Sequence, residues 1–392
     1  MLIANSLPSL PKAMNLFPQT SFNNDQSSSF DSEVKEYMKT LHMPSLCVSV
    51  IKNDHIVFSN SYGYSNLYRL KKAHTNSIYV SGSISKSVTG TAMMQIIENQ
   101  TYNIHLNDNV SQWLPFDLKN PKYPNTNITF RMILAQQSSL KEQWYNITYH
   151  FPLIKNKIKW IGQRVIPNGK YYDPHCWADF PPGEESGYSN INFIIISAII
   201  ENITKMTFDE YCQKHIFNPL NMTDTSFHVE KLDRKKFATP YYPTEKGFYI
   251  PLFHYDAECV AAAAGLRTTV IDAAHFLIAH MNQGTYENIR ILKPSTVEEM
   301  HREQYDEADK TFYGAKIRDG LAWRLINRSN IHWAGYQGAS IGYTGSMLIH
   351  LSDNNGIVMF SNKQTPIDTS PEAKKQFDIY QELINLFLTK AQ

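Results

Sequence analysis

Cysteine is scarce in this chain, and its few copies form no pattern. The 392 residues hold four, Cys47, Cys176, Cys212 and Cys259, far apart and without a CxxC pair. That argues against a disulfide framework or a cysteine zinc site and leaves buried free thiols as the expectation. Histidine occurs 14 times, but no HExxH or comparable pair appears, so no protein-bound metal is expected. Charge of either sign is limited. Charged residues make up 19%, with 37 bases against 36 acids and a net charge of +1. No basic block or acidic tail stands out, which argues against nucleic acid and for a small-molecule partner. The longest apolar run, Phe193 to Ile200, is far short of the roughly 20 residues that span a bilayer, so no transmembrane segment is expected. The opening stretch MLIANSLPSLPKAMNLFPQ lacks the charged and apolar regions of a secretory signal. A cytoplasmic location is therefore the default expectation, and a periplasmic or secreted one applies if a leader has been trimmed. Oligomeric state stays open.

What is present is a globular composition, 42% hydrophobic, long enough for a substantial core. Residues 1–28 read as a flexible arm ending in the polar run Asn23 to Ser29. A helix is predicted from near Asp31, with Val34, Met38 and Leu41 at helical spacing. Two strand-like runs follow, Leu46 to Ile51 and His55 to Ser61, and Asn53-Asp54 between them signals a hairpin. The middle of the chain reads as mostly helical. Strands return from about Arg324, with a hairpin predicted around Asp353 to Gly356 and a final amphipathic helix over 371–391. The expected organisation is one α/β unit (α+β) built from about 29–80 and 265–392, interrupted by a helical region at about 81–264.

Two short elements carry chemistry. In Ser83-Ile84-Ser85-Lys86, Lys86 follows Ser83 by three residues at the head of an apolar helix, so both side chains share one face. A serine hydroxyl must lose its proton to attack, and a lysine whose pKa is lowered by burial can accept it. The helix N-terminus favours the developing negative charge. Ser81, Ser85 and Ser87 are competing hydroxyls, and the tetrapeptide alone arises often by chance. The second element, Tyr188-Ser189-Asn190, follows a Pro-Gly turn and leads into an apolar helix. Tyr188 can relay protons, and Asn190 can bond Lys86 or a substrate amide. The bland alternative packs Tyr188 as a loop aromatic and uses Asn190 as a helix cap.

Ser83-x-x-Lys86 and Tyr188-x-Asn190, about a hundred residues apart, resemble class C β-lactamases and their esterase and D-peptidase relatives in the penicillin-binding-protein superfamily. The similarity runs from about residue 31 to the end. It includes Leu106 to Pro115, Ile128 to Leu134, Phe217 to Phe227, Gly265 to Ala274 and Gly356 to Lys363. The resemblance implies a β-lactamase/transpeptidase-like fold, with an antiparallel sheet flanked by helices beside a helical region. It makes 29–392 the catalytic domain, Ser83 the acylated nucleophile, Lys86 and Tyr188 the proton-transfer pair, and Asn190 a contact to substrate and lysine. No cofactor is implied.

The family's third element, Lys-Thr-Gly or His-Thr-Gly on a strand edging the site, departs here. Tyr336-Gln337-Gly338 and Tyr343-Thr344-Gly345 are the candidates, and the first leaves room for a full strand before the Asp353 turn. Either way tyrosine replaces the basic residue. Only hydrogen bonds are then expected near Tyr188, unless Arg267 or Arg324 reaches the site. Backbone N–H groups of Ser83 and Ala339 are the expected oxyanion donors. A second departure is Gln136-Gln-Ser-Ser-Leu140, where relatives often carry His-Thr-Ser-Gly-Leu. The expected activity is hydrolysis of a small-molecule ester, amide or peptide through an acyl-enzyme. The alternatives are a catalytically silent binding or scaffold protein, or a penicillin-binding sensor, that keeps the fold. The aromatic stretch Trp144 to Trp177 is expected to shape the pocket.

Overall fold

The computed structural model describes residues 29–142, 156–244, 249–254, 260–305, 310–312, 315–328, 331–364 and 370–391. The arm expected over 1–28, Trp144 and Cys259 lie outside these residues. A nine-stranded antiparallel sheet forms the base of the molecule. Its spatial order is Lys310–Phe312, Ala315–Asp319, Arg324–Arg328, Ile331–Ser340, Tyr343–His350, Asn355–Ser361, Ser45–Lys52, His55–Asn66 and Lys71–Lys72. Strands from both ends of the sequence thus share one sheet, and Ser45–Lys52 pairs with Asn355–Ser361 where they meet.

The first hairpin turns at Asn53 and Asp54, whose φ angles of 48° and 60° suit a two-residue primed turn. Strand Ser45–Lys52 is buried almost throughout, because both faces of the sheet are covered. Its side chains alternate between two cores. Leu46, Val48 and Val50 face one side with Leu348, Ile357 and Met359. Helices Ser29–Thr40 and Pro371–Leu388 close that side through Val34, Met38, Leu383, Ile384 and Phe387. Cys47 and Ile51 face the other side with Met347, Val358 and Phe360, and this second core continues into the helical region.

The helix expected near Asp31 starts two residues earlier, at Ser29. The last helix begins at Pro371, where Ser370 caps it by accepting from the Ala373 N–H. In the helical region, Asn190–Thr204 is buried on every side from Asn190 to Ile200, which is why its sequence is apolar without a clear stripe. It packs beside the helix Ser85–Glu98, and the short helix Ala261–Ala264 lies against both. No single described helix is long and apolar enough to cross a membrane. Cys47, Cys176 and Cys212 are buried free thiols, as expected.

Candidate active site

Ser83 sits in a single 3-10 turn, Gly82–Ile84, that leads directly into the helix Ser85–Glu98. Gly82 has φ +57°, and a side chain there would lie 2.7 Å from the Ala339 backbone N. Glycine therefore meets two demands at once, a left-handed turn and a close backbone approach. The rival hydroxyls are committed elsewhere. Ser85 Oγ donates to Gly82 O at 2.6 Å and accepts from Leu266 N at 3.0 Å. Ser87 Oγ donates to Ala322 O at 3.1 Å, and Ser81, Ser85 and Ser87 are all fully buried. Ser83 is the one of the four that is partly open.

Lys86 is fully buried. Its Nζ donates to Asn190 Oδ1 at 2.6 Å and to the Ala263 carbonyl at 2.7 Å, and lies 3.2 Å from Ser83 Oγ. Burial drives the amine below its ordinary pKa. Tyr188 and Glu142 oppose that shift, and the positive charge of Arg324 adds to it. With two hydrogens held by fixed acceptors, a neutral amine turns its lone pair toward Ser83. The alanine run 261–264 makes this possible, since its small side chains let backbone carbonyls reach the helix Ser85–Glu98. Thr89 Oγ1 also donates to Ala262 O, at 2.6 Å.

Tyr188 Oη lies 2.5 Å from Ser83 Oγ, and the ring centre is 4.8 Å from Lys86 Nζ. The loop that carries it is clamped by the Gln136 segment. Gly187 N–H donates to Gln136 O at 2.7 Å, and Ser189 N–H to Gln136 Oε1 at 3.0 Å. Asn190 N–H donates to Glu142 Oε2 at 2.7 Å, which places a carboxylate at the start of helix Asn190–Thr204. Asn190 is thus the first helical residue, and its side chain serves Lys86 rather than a cap. The Gln136 departure acquires a physical meaning: one carboxamide oxygen accepts from both the Tyr188 loop and Asn192 Nδ2.

Tyr336, Gln337, Gly338 and Ala339 lie on the strand Ile331–Ser340, which runs past the turn Gly82–Ile84. A side-chain carbon on Gly338 would stand 2.0 Å from Ser81 O and 3.2 Å from Ser83 N. Tyr336 and Gly338 are buried, whereas Gln337 and Ala339 are half-buried. Burial raises the Tyr336 phenol pKa well above its usual range, so it stays neutral. The competing Tyr343 to Gly345 lies on the next strand inward, and Tyr343 Oη donates to Ala238 O at 2.6 Å.

Of the two arginines considered, Arg324 is the one that reaches Tyr188. Its guanidinium carbon lies 4.8 Å from the Tyr188 ring centre and 5.7 Å from that of Tyr336. It comes from the neighbouring strand Arg324–Arg328, where Arg324 pairs in register with Gly335, one residue before Tyr336. Asp319 flanks it at 3.8 Å. Arg267, the other arginine considered, instead donates from Nη1 to Phe227 O and Gly265 O. Trp177 is a core residue whose indole N–H donates to Val165 O at 3.0 Å, so it does not line the pocket. No group of three or more metal-ligating side chains occurs among the described residues. Sequence reading missed Ala263, Glu142 and the anchoring role of Gln136. Only the alanine run offered a signal.

A long antiparallel sheet, covered by helices on both faces and flanking a serine–lysine turn, defines the β-lactamase-like fold. The chain belongs to the Beta-lactamase family, which it matches over residues 30–378. That places it in the superfamily of serine hydrolases that includes penicillin-binding proteins. It is 23% identical to Protein flp of Staphylococcus aureus (strain N315) over 345 residues, 88% of this chain and 64% of that protein. The chain thus spans less than two thirds of that relative. It is 26% identical to the Teichoic acid D-alanine hydrolase of Staphylococcus aureus (strain MRSA252) over half its length, covering 44% of that protein. Among solved structures, the octameric penicillin-binding protein homologue from Pyrococcus abyssi superposes with a TM-score of 0.73 at 21% identity. That match covers 90% of this chain and 76% of the other. The D-amino acid amidase from Ochrobactrum anthropi SV3 gives 0.72 at 18% identity, covering 93% and 100%.

Proposed function

We propose that this chain is a serine hydrolase that forms an acyl-enzyme on Ser83 from an ester or amide substrate. One arrangement supports the reading most: Ser83 Oγ lies 2.5 Å from Tyr188 Oη and 3.2 Å from the buried amine of Lys86. Ser83 gives its proton to this pair as its oxygen bonds the substrate carbonyl carbon. The negative charge that builds on the carbonyl oxygen is received by the Ser83 and Ala339 N–H groups, each worth about 3 kcal/mol in such a role. Tyr188 passes a proton to the leaving alcohol or amine, and the carbon–leaving-group bond breaks. Water then attacks the ester on Ser83 and gives its proton to the same pair, which returns it to Ser83 Oγ as the acyl–oxygen bond breaks. Asn190 holds Lys86 through Oδ1 and offers its Nδ2 hydrogens to a substrate carbonyl.

Arg324 stands beside Tyr336, where the third element lacks a base, with Asp319 next to it. The names of two similar proteins make D-alanine esters and D-amino acid amides the first substrates to try. The test is rapid mixing with a chromogenic D-alanyl ester and with D- and L-phenylalanine amide. A burst of product equal to the enzyme, followed by slower turnover, is expected. No turnover and no burst across esters and amides, from folded protein, contradicts the proposal.

A further inference from the structure

Large apolar side chains are rarely left open to water without a use when they collect in one place. Nine are exposed among the described residues, and five of them share one region: Tyr68, Leu70, Tyr242, Ile250 and Phe253. Phe253 is 93% exposed. The region is built from residues 66–72 and from the small hairpin Tyr241–Pro243 with Tyr249–Pro251. Its parts are tied together. Tyr68 Oη donates to Tyr249 O at 3.1 Å, Leu67 N–H donates to Tyr241 Oη at 2.9 Å, and Leu252 N–H donates to Pro240 O at 2.8 Å.

Positive charge surrounds the same residues. Arg69 and Lys72 flank Leu70, and Arg234 and Lys235 sit on the adjoining turn. Lys71 Nζ joins the two segments by donating to Lys235 O. All four named cations are exposed, and none forms an ion pair among the described residues. Asp233 on the same turn instead accepts from the Lys235 N–H. Exposed aromatics beside unpaired bases suit the boundary of an anionic bilayer, where rings enter the headgroup layer and bases meet phosphate.

We propose that this face docks the protein on an anionic lipid bilayer. The position adds a consequence. Pro240 packs against Gly342, in the turn three residues beyond Ala339, so the docked face adjoins the mouth of the Ser83 site. A substrate carried in or on the bilayer then approaches from that side. The inference does not depend on hydrolysis at Ser83.

The test is co-sedimentation of the full chain with two vesicles, phosphatidylcholine alone and phosphatidylcholine with roughly one quarter phosphatidylglycerol. At about 0.1 M salt, binding to the anionic vesicles should be at least about tenfold tighter, and about 1 M salt should abolish the difference. A variant with Ile250→Ser and Phe253→Ser, and another with Arg69→Glu and Lys72→Glu, should each lose about tenfold or more. Unchanged melting and unchanged turnover of a soluble ester show that both variants are intact. Equal binding to both vesicles, no binding to either, or undiminished binding by both variants overturns the proposal. So does concentration-dependent self-association that the Ile250/Phe253 variant abolishes, because the face is then a contact between copies.

Discussion

Gly338→Ala probes the junction between the Ser83 turn and the strand Ile331–Ser340. Gly338 does not adopt a positive φ, so alanine meets no dihedral penalty there. The cost is contact alone. The new carbon would stand 2.0 Å from Ser81 O, 3.0 Å from Ser81 C and 3.2 Å from Ser83 N. All three are backbone atoms, and no side chain can swing away. The strand must open by about 1 Å to reach even a tight carbon–oxygen separation. That shift moves the Ala339 N–H away from the position facing Ser83. A misplacement of about 1 Å in a reacting geometry costs about a hundredfold in rate, or about 2.7 kcal/mol of barrier. Overpacking should cost about 1–3 kcal/mol of stability, which leaves a folded protein. The assay is kcat/KM on the chromogenic ester, with a melting curve beside it. Turnover within about threefold of wild type in a folded variant refutes the reasoning.

Three further outcomes follow from the same geometry. If, as proposed, the neutral amine of Lys86 accepts the proton, kcat/KM should rise with pH to a midpoint below the ordinary lysine value of 10.5. A profile flat from about pH 6 to 10 counts against that role. Arg324→Met removes a charge that favours neutral Lys86, so it should move that midpoint to higher pH and cut kcat/KM about tenfold. An unmoved midpoint places Arg324 outside the proton-transfer group. Acid stability should reflect His280 and His301, buried against Trp323 with ring centres 4.6 and 4.3 Å away. Burial pushes His301 down to about 3 and lowers His280 as well. The unfolded chain therefore takes up protons below about pH 6.5 that the folded chain refuses. Stability is intact above that pH and falls toward pH 3, by about 1.4 kcal/mol per pH unit from His301 alone, with His280 acting in the same direction. Denaturant unfolding at several pH values should show this loss, reduced in His301→Phe. An identical slope in that variant contradicts it.

Local features were legible in the sequence because local rules set them. The Asn53-Asp54 turn, the strand over Leu46 to Ile51 and the helix from Pro371 each depend on a few neighbouring residues. Ser83, Lys86, Tyr188 and Asn190 could be nominated by residue type and order. What stayed hidden was the set of long-range contacts that decides between equals. Ser83 stands apart from Ser85 and Ser87 only once Leu266 N–H and Ala322 O engage the other two hydroxyls. The two Tyr-x-Gly candidates separate only through the space at Gly338. Arg324, rather than the equally eligible Arg267, reaches Tyr188 from a strand 136 positions later in the chain, and nothing in its own neighbours decides between the two. The Ala263 carbonyl has no side-chain identity to read at all.

The most direct test of the central proposal is the intact mass of the protein after treatment with a fluorophosphonate, compared between wild type and Ser83→Ala. The account predicts one adduct in the wild type that maps to Ser83 and none in a folded Ser83→Ala variant. An adduct that persists in the variant, or its absence from a folded wild type, contradicts it.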